Sequence, residues 1–188
     1  MAQQNTDIMR SLAWAMGTPE LPGVRRRIYF TSKNNILAWP NFLRDEQGRL
    51  IQASYLDSFT LKEGVTWKYI DIIPEKSQLT SEAQGELPSQ TQLNKLVAVH
   101  PSVGPLASRA AAYLNNNDNV FIVEDMTGAH RIVGSERWTT KTTVAQDLGQ
   151  GATGTTSTTI SVEATDECPA PFYYGTITTE DGDIDCAE

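Results

Sequence analysis

The sequence predicts a mainly β protein with one packed helix, a β-sandwich or barrel carrying a long extended hairpin. Three observations lead there. Period-two alternation recurs along the chain, at residues 66–73 (TWKYIDII), 90–100 (QTQLNKLVAVH) and 157–165 (STTISVEAT). Between the second and third of these lies one helical stripe, Val103, Leu106, Ala107, Ala110, Ala111 and Leu114. Charged residues make up 20% and apolar ones 39%, with Thr, Ser, Asn and Gln filling the difference, a balance that suits β structure with much backbone-mediated or subunit-to-subunit contact. A chain of 188 residues is long enough for one domain with a real core, elaborated by a hairpin or arm.

Taken in order, residues 1–23 read as an N-terminal arm. Residues 9–16 are helix-compatible, but Pro19, Pro22 and Gly23 forbid continuation into the body. The domain proper is expected over residues 24–178. Residues 24–30 (VRRRIYF) predict a strand whose three adjacent arginines alternate across it, so they divide their charge between two faces and read as solvated or pairing groups. Residues 31–60 predict an irregular insertion around the apolar cluster Ile36, Leu37, Trp39, Phe42 and Leu43, with a packing or docking role.

The hairpin is expected over residues 66–99. Trp67, Tyr69, Asp71 and Ile73 share one face of its first strand and Ile70 and Ile72 the other; Leu93, Val97 and Val99 share a face of its second. The connection, residues 74–89 (PEKSQLTSEAQGELPS), is polar and interrupted by Gly85 and Pro88. Such a ribbon buries too little apolar surface to hold itself and should be ordered by a partner. The helix follows, with Ser102 as an N-cap, Pro105 in the first turn and residues 115–117 (NNN) as the stop. Residues 119–135 predict a hairpin turning at residues 126–128 (MTG), whose continuous apolar run at residues 120–123 marks a central strand buried on both faces. Two Thr-rich strands, joined by the glycine-rich residues 149–156, come next, and residues 179–188 read as an acidic tail.

The formal net charge is -8, and its location matters: residues 1–140 hold 14 acids and 14 bases, residues 141–188 nine acids and one base, Lys141. Five of those nine lie in residues 180–188, so the body is near neutral and cationic gripping of nucleic acid is disfavoured. No apolar run reaches membrane-spanning length, and the first residues lack a secretory leader, so a protein made in a cytoplasm with no membrane partner is expected. Cys168 and Cys186 fall outside zinc or CxxC spacing and are expected to be free and reduced.

Chemistry is not signalled. His100 and His130 have no partners at a metal or triad spacing, the adjacent Glu124 and Asp125 point to opposite faces, and the C-terminal EDGDIDCAE lacks the remaining ligands of a calcium loop. The glycines of GQGATG join two strands with no helix N-terminus to receive a phosphate. No catalytic, metal or cofactor residue is expected, and the chain does not read as an enzyme.

The order of segments carries a resemblance. Asp125, Gly128, Arg131, Ile132, Val133, Gly134 and Ser135 form a D-x-x-G-x-x-R-I-V-G-S unit, followed by a Thr-rich strand and by PAPFY at residues 169–173. Residues 107–174 resemble the tail tube proteins of bacteriophages, of the kind found in phages of Bacteroidetes-type hosts, and related contractile injection tubes. That resemblance implies a virion structural protein that self-assembles into stacked rings, usually of six subunits, with a continuous β-barrel as inner wall and DNA passing through non-specifically. Its partners would be copies of itself and other phage tail or neck proteins. The ring contacts would then fall on Trp67, Tyr69, Ile72, Leu79, Leu87, Leu93 and Val97 of the hairpin and Ile36, Leu37, Trp39 and Phe42 of the insertion. Lys76, Gln78, Glu82, Gln92 and Asn94 would face the lumen or the next ring. Two alternatives stand beside it: a tail terminator, stopper or neck-ring adaptor, or a decorating domain on a capsid; and a small ligand-binding β-sandwich using Trp39, Phe42, Tyr55 and Trp67.

Overall fold

The computed structural model describes residue 9 and residues 11–186. The chain enters β1 (Val24–Ser32), then an insertion with β2 (Ile36–Ala38), β3 (Phe42–Arg44), β4 (Leu50–Tyr55) and β5 (Thr60–Leu61). It continues through β6 (Lys68–Asp71), β7 (Gln78–Gln84) and β8 (Thr91–His100) to the helix α1 (Pro105–Asn115). After α1 come β9 (Asn119–Asp125), β10 (His130–Val133), β11 (Lys141–Asp147) and β12 (Ser157–Asp166), then the short β13 (Phe172–Tyr173), β14 (Thr176–Thr179) and β15 (Gly182–Asp185). The predicted class, mainly β with one helix, is the one found.

Two sheets form the body: a seven-stranded one in the order β3-β4-β13-β10-β9-β1-β6, and a four-stranded antiparallel one in the order β11-β12-β8-β7. Strand alternation divides the apolar side chains into two cores. Ile28, Phe121, Val123 and Val133 of the larger sheet meet Leu96, Ala98, Ile160, Val162 and Ala164 of the smaller one. On the opposite face of the larger sheet, Tyr29, Tyr55, Val120, Ile122, Ile132 and Tyr173 are covered by Phe59 and Trp67 and by Ile177 and Cys186. β9 therefore has apolar layers on both sides, which is why its run is continuous and not alternating. Gly134 of the IVGS unit has φ +130, and a Cβ there would lie 3.3 Å from Val120 Cα, so the close approach to β9 requires glycine.

Four expectations are corrected. The insertion is not irregular: β3 and β4 pair with each other, and β4 joins the larger sheet through a parallel pairing with β13. Its aromatics stack, Phe42 on Tyr55 at 4.2 Å and Trp39 edge-on to Phe59 at 5.1 Å, which supplies the apolar burial that composition alone did not locate. The long hairpin over residues 66–99 does not form. β6 pairs with β1, and a 3₁₀ turn (Pro74–Lys76) carries the chain across to the smaller sheet, fastened by Ile73 N–H donating to Val99 O at 2.8 Å and Val99 N–H donating to Ser77 Oγ at 3.0 Å. The supposed connection is a strand, β7, paired with β8 along its whole length; it reads as polar because it is an edge whose one inward apolar anchor is Leu79.

The acidic tail is also folded through residue 186. β14 and β15 pair, Ile177 and Cys186 are buried, and Asp183 and Asp185 alternate outward around Ile184, so the acids occupy the wet side of a hairpin. Among residues 11–23 there is no helix; the chain is extended apart from a turn at Gly17 and is exposed throughout. Both thiols are free and buried, and burial pushes each up to about 12.

Two polar centres hold the layers. Asn94, fully buried, accepts from Ser81 Oγ at 2.6 Å and from Ala170 N–H at 2.9 Å, and donates to Cys168 O at 3.3 Å, tying β8, β7 and the loop before β13. Asp125 of the D-x-x-G-x-x-R unit accepts from the Thr127 and Ala129 N–H groups at 3.0 and 3.1 Å and from Arg131 Nε at 3.4 Å, which fixes the β9–β10 turn. Burial raises its pKa, but these hydrogen bonds outweigh that and hold the carboxyl below the ordinary carboxylate range. The motif is thus a turn-holding device. Asn94→Ala should lower stability by about 2 kcal/mol, because Cys168 O loses this donor and the Ala170 N–H keeps only its longer bond to Ser81 Oγ at 3.3 Å. Urea unfolding measures this, and a change below about 0.5 kcal/mol would show that Asn94 is not the tie between these strands.

Candidate functional site

The outward face of the four-stranded sheet is the most regular surface on the molecule. Its rows, read across from β11 to β7, are Thr143, Ser161 and Val97, then Lys141, Glu163 and Lys95, with Glu82 diagonal to Lys95. Charges on it alternate in sign strand by strand. Lys141 Nζ lies 3.9 Å from Glu163 Oε2, and Lys95 pairs with Glu82 across β8 and β7. The hydrogen bond from Glu82 raises the Lys95 pKa. Gln84 reaches over β8 to donate to Thr91 Oγ1 at 3.2 Å and to Thr165 Oγ1 at 2.9 Å, so the polar side chains brace one another flat against the sheet. The face carries a neutral ribbon of alternating charge, in a field of Thr, Ser and short apolar groups.

Its two edges differ. β7 is an edge strand with five of its seven residues exposed. β11 is the other edge, flanked by α1: Val144 N–H donates to Asn115 Oδ1 at 2.7 Å and Ser108 Oγ bonds Gln146 Oε1 at 3.0 Å. The helix blunts that edge at Val144 and Gln146, which limits promiscuous strand addition.

The residues singled out from sequence fall into three groups. Gln78 and Glu82 lie on the outward face, with Leu93 and Val97 beside them at intermediate exposure. Lys76 sits in the 3₁₀ turn ahead of β7, and Leu87 is exposed in the β7–β8 turn. Asn94 is a correction: it is 0% exposed and points into the core, with Gln92 on the same side of β8, so neither faces a lumen. Trp67 and Ile72 are corrected likewise, since both are buried in this subunit's own cores, where Trp67 packs edge-on to Phe59 at 5.5 Å. Tyr69 and Leu37 are exposed, Leu79 anchors β7, and Ile36, Trp39 and Phe42 pack against the second core. Trp39, Phe42 and Tyr55 line one cleft, whereas Trp67 is buried apart from it, so the four rings on which the ligand-binding alternative depended do not share one groove. Lys95, Lys141 and Glu163 were not singled out; the signal was Lys141, the one base among the last 48 residues, opposite an alternating strand.

A second polar site lies at the other end of β12. Asp166 continues the inward parity of Ile160, Val162 and Ala164 and is 2% exposed, facing a cleft of about 300 Å³ between the insertion and the loop after β10. Asp166 Oδ1 accepts from Glu167 N–H at 2.7 Å, while Oδ2 has no hydrogen-bond partner. Glu167 is held by Arg44 and Arg137, each at 2.6 Å. Burial pushes the Asp166 carboxyl up to about 6 and raises the pKa of the adjoining Tyr55 hydroxyl, to which Asp166 contributes. His100 is remote from this cleft, its Nδ1 2.7 Å from Asp71 O, and His130 is buried beside Glu124 and Arg25, with a pKa lowered mainly by burial. Among the described residues no group of three or more His, Cys, Asp or Glu side chains is placed to hold a metal ion, and no helix is long and apolar enough to cross a membrane.

The sign of the pH effect follows. With a native pKa of about 6 and an unfolded value near 4, folded protein holds the extra proton in that interval, so the contribution of Asp166 to stability is greatest below about pH 4 and falls by up to about 3 kcal/mol as pH rises to about 7. Asp166→Asn should therefore raise the melting temperature at pH 8 and leave it little changed at pH 4. Equal shifts at both pH values would remove Asp166 as the source.

Comparison of the chain with protein-family models, with curated proteins and with solved structures returns no match, so the surfaces themselves carry the functional reading.

Proposed function

We propose that this protein is a virion structural protein, the subunit of a phage tail tube, whose four-stranded sheets join side by side into a barrel with their neutral, polar faces inward. The observation that carries the reading is the charge ribbon. Its order from β11 to β7 is Lys141, Glu163, Lys95, Glu82, so a neighbour placed β11 to β7 continues the alternation across the junction, Glu82 meeting Lys141. Strand direction agrees: four antiparallel strands make β7 and β11 mutually antiparallel, so cyclic repetition keeps the pairing antiparallel at every junction.

Six copies, the usual number for the proteins it resembles, would contribute four strands each, and barrels of about 16–18 strands already enclose an aqueous channel. At about 4.8 Å per strand the circumference is about 115 Å. A wall of Thr, Ser and balanced ion pairs neither grips phosphate nor traps counterions, which suits a conduit for DNA. The role is structural, with contacts to copies of itself and to other tail or neck proteins, and it calls for no cofactor and no catalytic step.

Negative-stain electron microscopy of concentrated protein should show hollow tubes. Lys141→Glu and Glu82→Lys should each abolish them, and the double variant should restore them, since each exchange reverses one side of the junction. Unassembled wild type, unimpaired single variants or a double variant that fails to rescue would each contradict the reading; single unstacked rings would favour a terminator or neck protein instead.

A further inference from the structure

The extended arm and the helix α1 present matching apolar surfaces on opposite sides of the subunit. Leu12, Trp14 and Met16 are 96%, 62% and 92% exposed; Leu12 and Trp14, spaced by two, share one face of the arm, and Met16 follows in the turn closed by Thr18 N–H donating to Ala15 O at 3.1 Å. The arm leaves the body beside β7: Leu21 and Val24 line one cleft with Leu79 and Ser81. At the far side of the smaller sheet, α1 lies over β11 and leaves a groove between itself and β6. Two adjoining clefts of about 470 and 230 Å³ make up this groove, and both are lined by Leu106 and Ala110. Leu106 is 80% exposed although it belongs to the helix's apolar stripe, and Tyr113 and Tyr69 are 43% and 42% exposed along the same groove. Exposed apolar surface of this kind, presented by both partners, marks contact sites.

We infer that residues 12–16 of one copy lie in the groove between α1 and β6 of a second copy, with Leu12, Trp14 and Met16 against Leu106, Ala110 and Tyr113. The occupant is argued from position and charge. Arm and groove sit beside opposite edges of the same four-stranded sheet, β7 and β11, so the lateral neighbour that brings β11 to β7 also brings its groove to the arm. The contact is heterologous, like the edge junction, and repeats in the same direction around a ring. From Leu21 to Trp14 the chain spans at most about 23 Å, less the shortening of the turn at Gly17, against about 5 Å between neighbouring strands. Residues 11–22 carry a single charge, Glu20, opposite in sign to Arg109 on the groove wall, where Lys68 already pairs with Glu180. The inference rests on the side-by-side arrangement proposed above and names which segment fastens it.

Full-length chains carrying Met16→Cys and Ala110→Cys, made separately, mixed at assembling concentration and mildly oxidised, test it. The native thiols, buried and titrating near 12, do not compete. A disulfide-linked dimer containing one chain of each kind is expected, with the yield falling at least tenfold when the exposed Leu106 of the Ala110→Cys chain is also changed, Leu106→Glu. Absence of the mixed dimer, or a yield indifferent to Leu106→Glu, overturns the inference. An intrachain bond in the double variant Met16→Cys/Ala110→Cys with no mixed dimer from the single variants overturns it too, showing that the arm folds back on its own groove. Tubes without the mixed dimer would sink the arm contact and leave the tube; a mixed dimer without tubes would do the reverse.

Discussion

The two faces of the four-stranded sheet obey one rule, strand alternation, and the molecule is organised by the difference between them. Inward, Leu96, Ala98, Ile160, Val162 and Ala164 pack on the larger sheet. Outward, the same strands show Lys95, Val97, Thr159, Ser161 and Glu163. A slip of one residue in register would exchange these sets and bury two charges, so burial on one side fixes the surface on the other. Asn94 is a polar exception inward, as Asp166 is on β12, and its three hydrogen bonds make it a tie between strands.

From that constraint the rest of the architecture follows. The larger sheet must be apolar on both faces, because the smaller sheet covers one and the insertion with the β14–β15 hairpin covers the other. The helix packs on the edge strand β11, and between it and β6 a groove stays open. What stays exposed is then informative: a neutral ribbon of charge, the open edge at β7, the groove beside α1 and an apolar arm. Each is a surface the folded subunit does not use for its own stability, which is why they support an assembling role.

Much of this was legible in the residues. The alternation at β8 and β12, the double-faced run of β9 and the stripe of α1 follow directly from where apolar side chains must go. Pairing was not legible, because period-two patterns fix the parity of a strand and not its neighbour: Trp67 and Tyr69 suggested a partner in β8, whereas β6 joins β1. The shared face of Leu93, Val97 and Val99 follows from parity, but not that it is the outward one, the inward set being Asn94, Leu96 and Ala98. Edge elements were hidden by polarity. β7 and β15 have one half-buried apolar side chain each, Leu79 and Ile184, and their remaining residues resemble loop and tail. Asp166 followed the inward parity of its strand but reads as an ordinary turn acid until burial is known.

The central claim, that the outward face of the four-stranded sheet lines a closed channel, is tested most directly at Ser161, flanked by Val97 and Thr143. A Ser161→Cys chain should react with both a small maleimide and a bulky polymer-linked one when dispersed at low concentration. In the assembled state the account predicts that the small reagent still reacts while the bulky one is excluded. Equal reaction with both reagents in the assembled state would place that face on the outside and contradict it.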